Sequence, residues 1–211
     1  MKVAIIGAGN VGQALTTTFT RAGHEVTLAA ANPEHAREAA DALGASAAQS
    51  NAEAVSDADL VILAVPATEL GDIASNLERE LTGKVVVDVS NRPTPDPTGP
   101  GTSIAEELQV RLPKSRVVKA FNTLFASRQA DPVVAGVPVD GFVAGDDEQA
   151  KTEVLDVLDG LGFRPVDAGP LAAARTLEGM AWLNINRNMN GGTWQEAYVI
   201  VGPDTDIASS N

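Results

Sequence analysis

The feature that most constrains this chain is Gly7-Ala8-Gly9-Asn10-Val11-Gly12, set directly behind the apolar run Lys2–Ile6. An apolar strand, then G-x-G-x-x-G, then a helical pattern and a second strand within about thirty residues marks the first βαβ unit of a dinucleotide-binding fold. Each glycine has a task. Gly7 permits the tight turn out of the strand. Gly9 leaves the backbone bare where a pyrophosphate approaches. Gly12 lets the helix pack closely on the strand. Backbone N–H groups at the helix start, around Asn10 and Val11, then meet the phosphates with the help of the helix dipole. That site must overcome a global field, because 15 basic and 28 acidic side chains leave a net charge of −13.

The same charge argues against nucleic acid as a partner. The absence of cysteine excludes disulfides, thiolate metal sites and a cysteine nucleophile, and no metal cluster stands out among the remaining residues. No apolar run approaches the roughly 18 residues of a membrane helix, and the amino-terminal strand runs into glycines where a signal peptide would continue. The expectation is a soluble cytoplasmic protein with no membrane partner. Hydrophobic residues make up 44 % but aromatics only 4 %, so Val, Ala, Leu and Ile fill the core, as suits a buried parallel sheet.

Strand and helix patterns alternate along the chain. Strands are expected at Lys2–Ile6, Glu25–Ala30, Asp59–Val65, Lys84–Asp88, Arg116–Ala120, Val139–Ala144 and Arg164–Val166, with a last short one at Ala197–Val201. Helices are expected at Asn10–Ala22, Pro33–Leu43, Thr68–Leu81, Ser103–Leu112, 146–161 and Ala172–Asn190, and a short helical turn within Ala45–Ser56. The fold class is α/β, a doubly wound, mostly parallel sheet of Rossmann type. Residues 1–168 form the dinucleotide-binding part. Residues 169–211 form a helical extension that completes the cleft or a homodimer interface, with Asp206–Asn211 disordered. The segment Asn91–Gly101 holds four prolines and two glycines, and a loop that long is often functional.

The second strand ends in Ala29-Ala30-Ala31-Asn32, without the carboxylate that usually binds the ribose hydroxyls of NAD. Its absence permits NADP, while the absence of an arginine there leaves NAD open. Ala31, Asn32, His35 and Arg37 are the residues placed to meet a 2′-phosphate. The alternative for Arg37 is an exposed helix residue.

Hydride transfer between flat rings needs proximity and orientation more than a general acid. The two histidines, His24 and His35, lie beside the second strand, away from a nicotinamide. Lys119 is the one candidate base from the strand ends, against a solvent-facing or loop-pairing lysine. Asn122, just past the strand Arg116–Ala120, is the polar residue placed to orient a ring or to cap its own turn. Trp182 or Trp194 would cover a flat second substrate, and Arg175 or Arg187 would receive an anionic tail. For all four the plainer reading is core, interface or surface.

Several segments occur together in order: Gly7–Gly12, Ala64-Val65-Pro66, Val86–Asn91, Lys119-Ala120-Phe121-Asn122-Thr123, Gly145-Asp146-Asp147 and Asp167–Leu171. This set resembles the coenzyme F420-dependent NADP oxidoreductase family, over nearly the whole chain. The Lys-Ala-Phe-Asn run is also similar to the oxidoreductase domain of STEAP-type metalloreductases. The resemblance implies hydride exchange between NADP(H) and a deazaflavin, coenzyme F420, held face to face. It implies that Val65, Pro66 and Ala67 lie over the nicotinamide half, and that Asn91 and Ala120 line the same pocket. It places Phe121, Thr123, Leu124 and Pro170 around the second substrate. Ala30-Ala31 stands where that family tends to carry Ser-Arg or Thr-Arg, and Asn122 where it often carries His. The alternatives are the same fold acting on a flavin, an imine or a quinone, and a non-catalytic NAD(P)-binding redox sensor.

Overall fold

The structure, a computed structural model, describes residues 1–92 and 101–202. The glycine turn opens the chain as expected: strand β1 (Lys2–Ile6) leads into helix α1 (Asn10–Arg21), and β2 (Glu25–Ala29) follows. Next come α2 (Pro33–Leu43), β3 (Ser46–Ala47), α3 (Asn51–Ser56), β4 (Leu60–Leu63), α4 (Leu70–Leu77) and β5 (Val85–Asp88). After residues 93–100, the chain resumes with α5 (Ile104–Arg111) and β6 (Arg116–Lys119). Then follow α6 (Ala126–Ala130), the pair β7 (Val133–Val134) and β8 (Val137–Pro138), β9 (Asp140–Gly145), α7 (Glu148–Gly160), β10 (Arg164–Gly169) and α8 (Ala174–Met189).

The main sheet has the order β10-β9-β6-β5-β4-β1-β2-β3. From β3 to β6 the strands are parallel, β9 is antiparallel to β6, and β10 is parallel to β9. The central strands are buried on both faces, which is why Val61–Leu63 and Val85–Val87 read as unbroken apolar runs rather than alternations. One face packs Val3, Ile5, Leu28, Ile62, Val87 and Val118 with Leu15 and Phe19 of α1 and Val154 of α7. The other packs Ile6, Val61, Leu63, Val86 and Val117 under α3, α4 and α5.

Local signals explain most boundaries. Asn32 accepts the Glu34 N–H ahead of Pro33, and Gly44 closes α2 in the left-handed region. Ser103 and Glu106 form a reciprocal capping box on α5, and Asp147 caps α7. Four expectations need correction. The segment 45–56 contains the edge strand β3 as well as a helix. Ala197–Val201 forms no strand and meets the start of β9 by isolated bonds, such as Asp140 N–H to the Tyr198 carbonyl at 3.0 Å. β10 continues to Gly169, past a register shift between Asp167 and Gly169. The β7–β8 hairpin and α6 were not expected; Ala135-Gly136, both at positive φ, make the hairpin turn. The loop expectation for Asn91–Gly101 lies mostly outside the described residues, as does that for Asp206–Asn211. Among the described residues no helix is long and apolar enough to cross a membrane.

Candidate functional site

The carboxyl ends of β1, β4, β5 and β6 stand side by side, and their turns carry most of the residues singled out by sequence. At β1, Gly7 takes φ +117°, and a Cβ there would fall 2.2 Å from the Ala64 carbonyl oxygen. A Cβ on Gly12 would fall 1.8 Å from the Gly7 carbonyl oxygen. A Cβ on Gly9 would meet nothing within 4 Å. Two of the glycines are therefore required by the protein's own packing, while the third faces open space. Gly9 is also the N-cap of α1, whose first turn has no side-chain cap and no acidic residue. Free N–H groups and an unopposed helix dipole thus face that space, which is the chemistry of an anion cradle. Val65 borders the same turn, with a methyl 3.1 Å from the Cβ position of Gly7, and Pro66 and Ala67 follow it.

At the end of β2, Ala31 and Asn32 are exposed. Arg37 lies one turn into α2, with its Nε 3.2 Å from Glu34 Oε2 and Nη1 3.7 Å from Asp41. Its guanidinium already has acidic neighbours on its own helix. Pairing with Arg37 holds the Glu34 carboxyl below the usual range.

At β5 and β6 the two turns are tied together. Asn91 Nδ2 donates to the Asn122 carbonyl and Asn122 Nδ2 donates to Asn91 Oδ1, each at 2.9 Å. Asn122 is 4 % exposed, so it braces a neighbouring strand's turn and does not cap its own. Its Oδ1 and the buried Ser90 Oγ have no hydrogen-bond partner among the described residues. An unpartnered buried oxygen costs about 1–3 kcal/mol. A carboxamide N–H of a bound nicotinamide offers what Asn122 Oδ1 lacks, so these residues fit the cofactor that the glycine turn implies.

Beneath these turns lies a cluster of charged side chains. Asp88 and Lys119 are register partners with side chains on the same sheet face. Lys119 Nζ donates to Asp88 Oδ2 at 2.8 Å, to the Ser90 carbonyl at 2.6 Å and to Glu178 Oε1 at 3.0 Å. Asp88 Oδ1 accepts the Ser90 N–H at 2.9 Å, and Glu178 Oε1 also accepts the Ile104 N–H at 2.8 Å. Burial pushes the Glu178 carboxyl up, opposed by the Lys119 ammonium. Lys119 is therefore neither solvent-facing nor free to act as a base: it is fully buried and all its donors are engaged.

The other residues fall in different places. Ala120 and Thr123 are buried beside Asn122. Phe121, at φ +60°, packs against Phe19 and Phe163, and Leu124 joins the same core, so both support the turn from inside. Gln129, which the sequence did not single out, donates to the carbonyls of Phe121 and Leu124 at 3.1 and 3.2 Å. Pro170 is exposed and follows the end of β10, which is parallel to β9 and so runs against β6. Arg175 pairs with Glu106 on α5. Trp194, 46 % exposed at φ +59°, packs its ring against Phe125, just past Leu124. A cavity of about 460 Å³ lined by Lys2, His24, Ser46 and Asp57 sits at the opposite, amino edge of the sheet. Open α/β sheets bind ligands at the carboxyl edge, which makes the glycine turn rather than this cavity the candidate site.

Comparison with known proteins points the same way. Residues 2–92 match the family model for coenzyme F420-dependent NADP oxidoreductases. The F420-dependent NADP reductase of Methanocaldococcus jannaschii is 30 % identical over 213 residues, covering 90 % of this chain and 93 % of that protein. The metalloreductase STEAP3 of Rattus norvegicus is 34 % identical over 178 residues, covering 84 % of this chain but only 36 % of that protein. A solved protein from Arthrobacter sp. FB24, provisionally assigned as an F420-dependent NADP reductase, superposes with a TM-score of 0.86 at 28 % identity, covering 96 % of this chain and all of that one. With that relative from Methanocaldococcus matched almost end to end, the chain belongs to the F420-dependent NADP reductase family of NAD(P)-dependent oxidoreductases.

Proposed function

We propose that the protein exchanges hydride between NADP(H), seated on the Gly7–Gly12 turn, and a deazaflavin of the coenzyme F420 type lying against the nicotinamide. The observation that carries this reading is the braced Asn91–Asn122 pair, with oxygens on Asn122 and Ser90 that have no partner among the described residues. Such a site orients rings: the hydride passes from C4 of the dinucleotide to the deazaflavin ring carbon, and the one proton that balances the exchange is taken up from solvent at a ring nitrogen. The dinucleotide supplies a transferable hydride when bound. The chain's own part is to seat the phosphates, orient the carboxamide through Asn122 and exclude water with the buried turn Ala120–Leu124. The Phe125–Trp194 pair supports a planar second substrate, since it exposes an aromatic face next to that turn. Exposed Leu183 and Met189 on α8 support a homodimer.

A second reading concerns the cofactor. NADP is supported by the relatives, whereas Arg37 is occupied by Glu34 and Asp41, and the Glu34 N–H is taken by Asn32, which favours NAD(H). Mixing the protein anaerobically with oxidised F420 and either NADPH or NADH tests both points. Bleaching of the deazaflavin with NADPH is expected. Dinucleotide binding without bleaching would remove the deazaflavin and turn the search to flavins, imines, quinones or a sensing role.

A further inference from the structure

We infer that the buried Asp88–Lys119–Glu178 cluster biases the dinucleotide site toward the oxidised, cationic nicotinamide, and so favours hydride donation from the reduced cofactor. The inference rests on the ring position proposed above.

The charges do not cancel. Lys119 is the one cation buried between the carboxylates of Asp88 on β5 and Glu178 on α8. The next cation, Arg92, stands 3.9 Å from Glu178 Oε2 but is held more tightly by Glu107 of α5, at 2.6 Å. Among the described residues, three carboxylates (Asp88, Glu178, Glu107) against two cations (Lys119, Arg92) leave one negative charge over. The nearby Arg175–Glu106 pair is neutral as a unit.

The cluster also grips the site directly. Lys119 Nζ holds the Ser90 carbonyl and Asp88 Oδ1 holds the Ser90 N–H. Ser90 carries one unpartnered oxygen, its neighbour Asn91 braces Asn122, and Asn122 carries the other. A ring bonded there lies two or three residues from the cluster, roughly 7–10 Å. The oxidised ring bears a formal positive charge and the reduced ring bears none. An excess negative charge at that range, weakly screened by solvent, stabilises the first and leaves the second nearly unaffected, by a factor of about ten in relative affinity. The cluster thereby favours departure of the hydride with its electron pair to the acceptor, since the positive charge left behind faces the excess carboxylate.

Glu178 is the member to change, because it lies at the rim of the cluster, and Gln keeps an acceptor oxygen for both Ile104 N–H and Lys119. The experiment is calorimetric titration of wild type and Glu178→Gln with NADP⁺ and NADPH, and with NAD⁺ and NADH. The ratio of the oxidised to the reduced Kd is expected to rise about tenfold in the variant. Equal shifts in both constants, or none, would reduce the cluster to a structural brace and overturn the inference. Failure of wild type to bind any dinucleotide overturns the reading of the site and this inference together. Should Glu178→Gln not fold, the wild-type ratio across pH decides. Glu178 titrates above its ordinary 4.5, and adenine contributes equally to both forms. The ratio is expected to rise as pH falls toward that titration, and a flat ratio overturns the inference.

Discussion

Asp88 and Lys119 are direct register partners at the ends of two adjacent parallel strands, and their ion pair closes at 2.8 Å with neither side chain exposed. A buried pair of this kind adds little stability compared with apolar residues, but breaking it is costly, because the remaining charge has no water to turn to. Here two carboxylates would be stranded. Lys119→Met is expected to lower stability by about 3–5 kcal/mol. For a chain of this length that is a fall in Tm of roughly 6–20 °C. Thermal unfolding followed by circular dichroism measures it, and a Tm within a degree or two of wild type would contradict the burial described.

The glycine turn separates packing from ligand binding. Gly9→Val places its side chain in open space at an extended backbone position, so Tm is expected to change by a few degrees at most while dinucleotide binding is abolished. Gly12→Ala drives a Cβ into the Gly7 carbonyl, so about 3 kcal/mol or more of stability should go along with binding. Paired melting curves and dinucleotide titrations distinguish the two. A Gly9 variant that binds normally would count against the whole scheme.

Asn122→Ala removes one of the two bonds to Asn91 and leaves the other, made to the Asn122 backbone carbonyl. It is expected to cost about 1 kcal/mol of stability. Turnover should fall by about tenfold or more, with a smaller change in cofactor affinity. An unaltered kcat would return Asn122 to a purely structural part.

The acid side of the stability curve has an identifiable contributor. Glu106 binds Arg175 and caps α5 through Ser103, and its pKa is lowered to about 2. A carboxyl depressed in the folded state stabilises above its unfolded value, and that stabilisation is lost as pH falls through the folded one. Between pH about 4.5 and about 2, wild type should therefore lose stability more steeply than Glu106→Gln. Parallel slopes in urea titrations over that window would remove Glu106 from the account.

Much of this was legible in the sequence, for physical reasons. The turn Gly7–Gly12, the caps at Asn32, Ser103 and Asp147, and the continuous apolar strands are local, and local chemistry is read from adjacent residues. What lies between distant elements was not. Lys119 looked like a strand-end lysine because its partner Glu178 is 59 positions away on another helix. For Asn122 a cap on its own turn stays open beside ring orientation in the sequence, because its partner Asn91 belongs to a different strand's turn. A signal was present for Asp88, a carboxylate ending the apolar run Val85–Val87, but its meaning needed the register with β6. The direction of β9 and β10, reversed against β6, was likewise not legible, because it depends on pairing between distant strands.

The most direct test of the central claim is transfer of label. NADPH carrying deuterium on the transferable C4 position is incubated with the protein and oxidised F420, and the reduced deazaflavin is analysed by mass spectrometry. The account predicts that the deuterium is retained on the deazaflavin ring carbon, because the hydride passes directly from one ring to the other. Deuterium lost to solvent, or F420 left oxidised while NADPH stays bound, would contradict it.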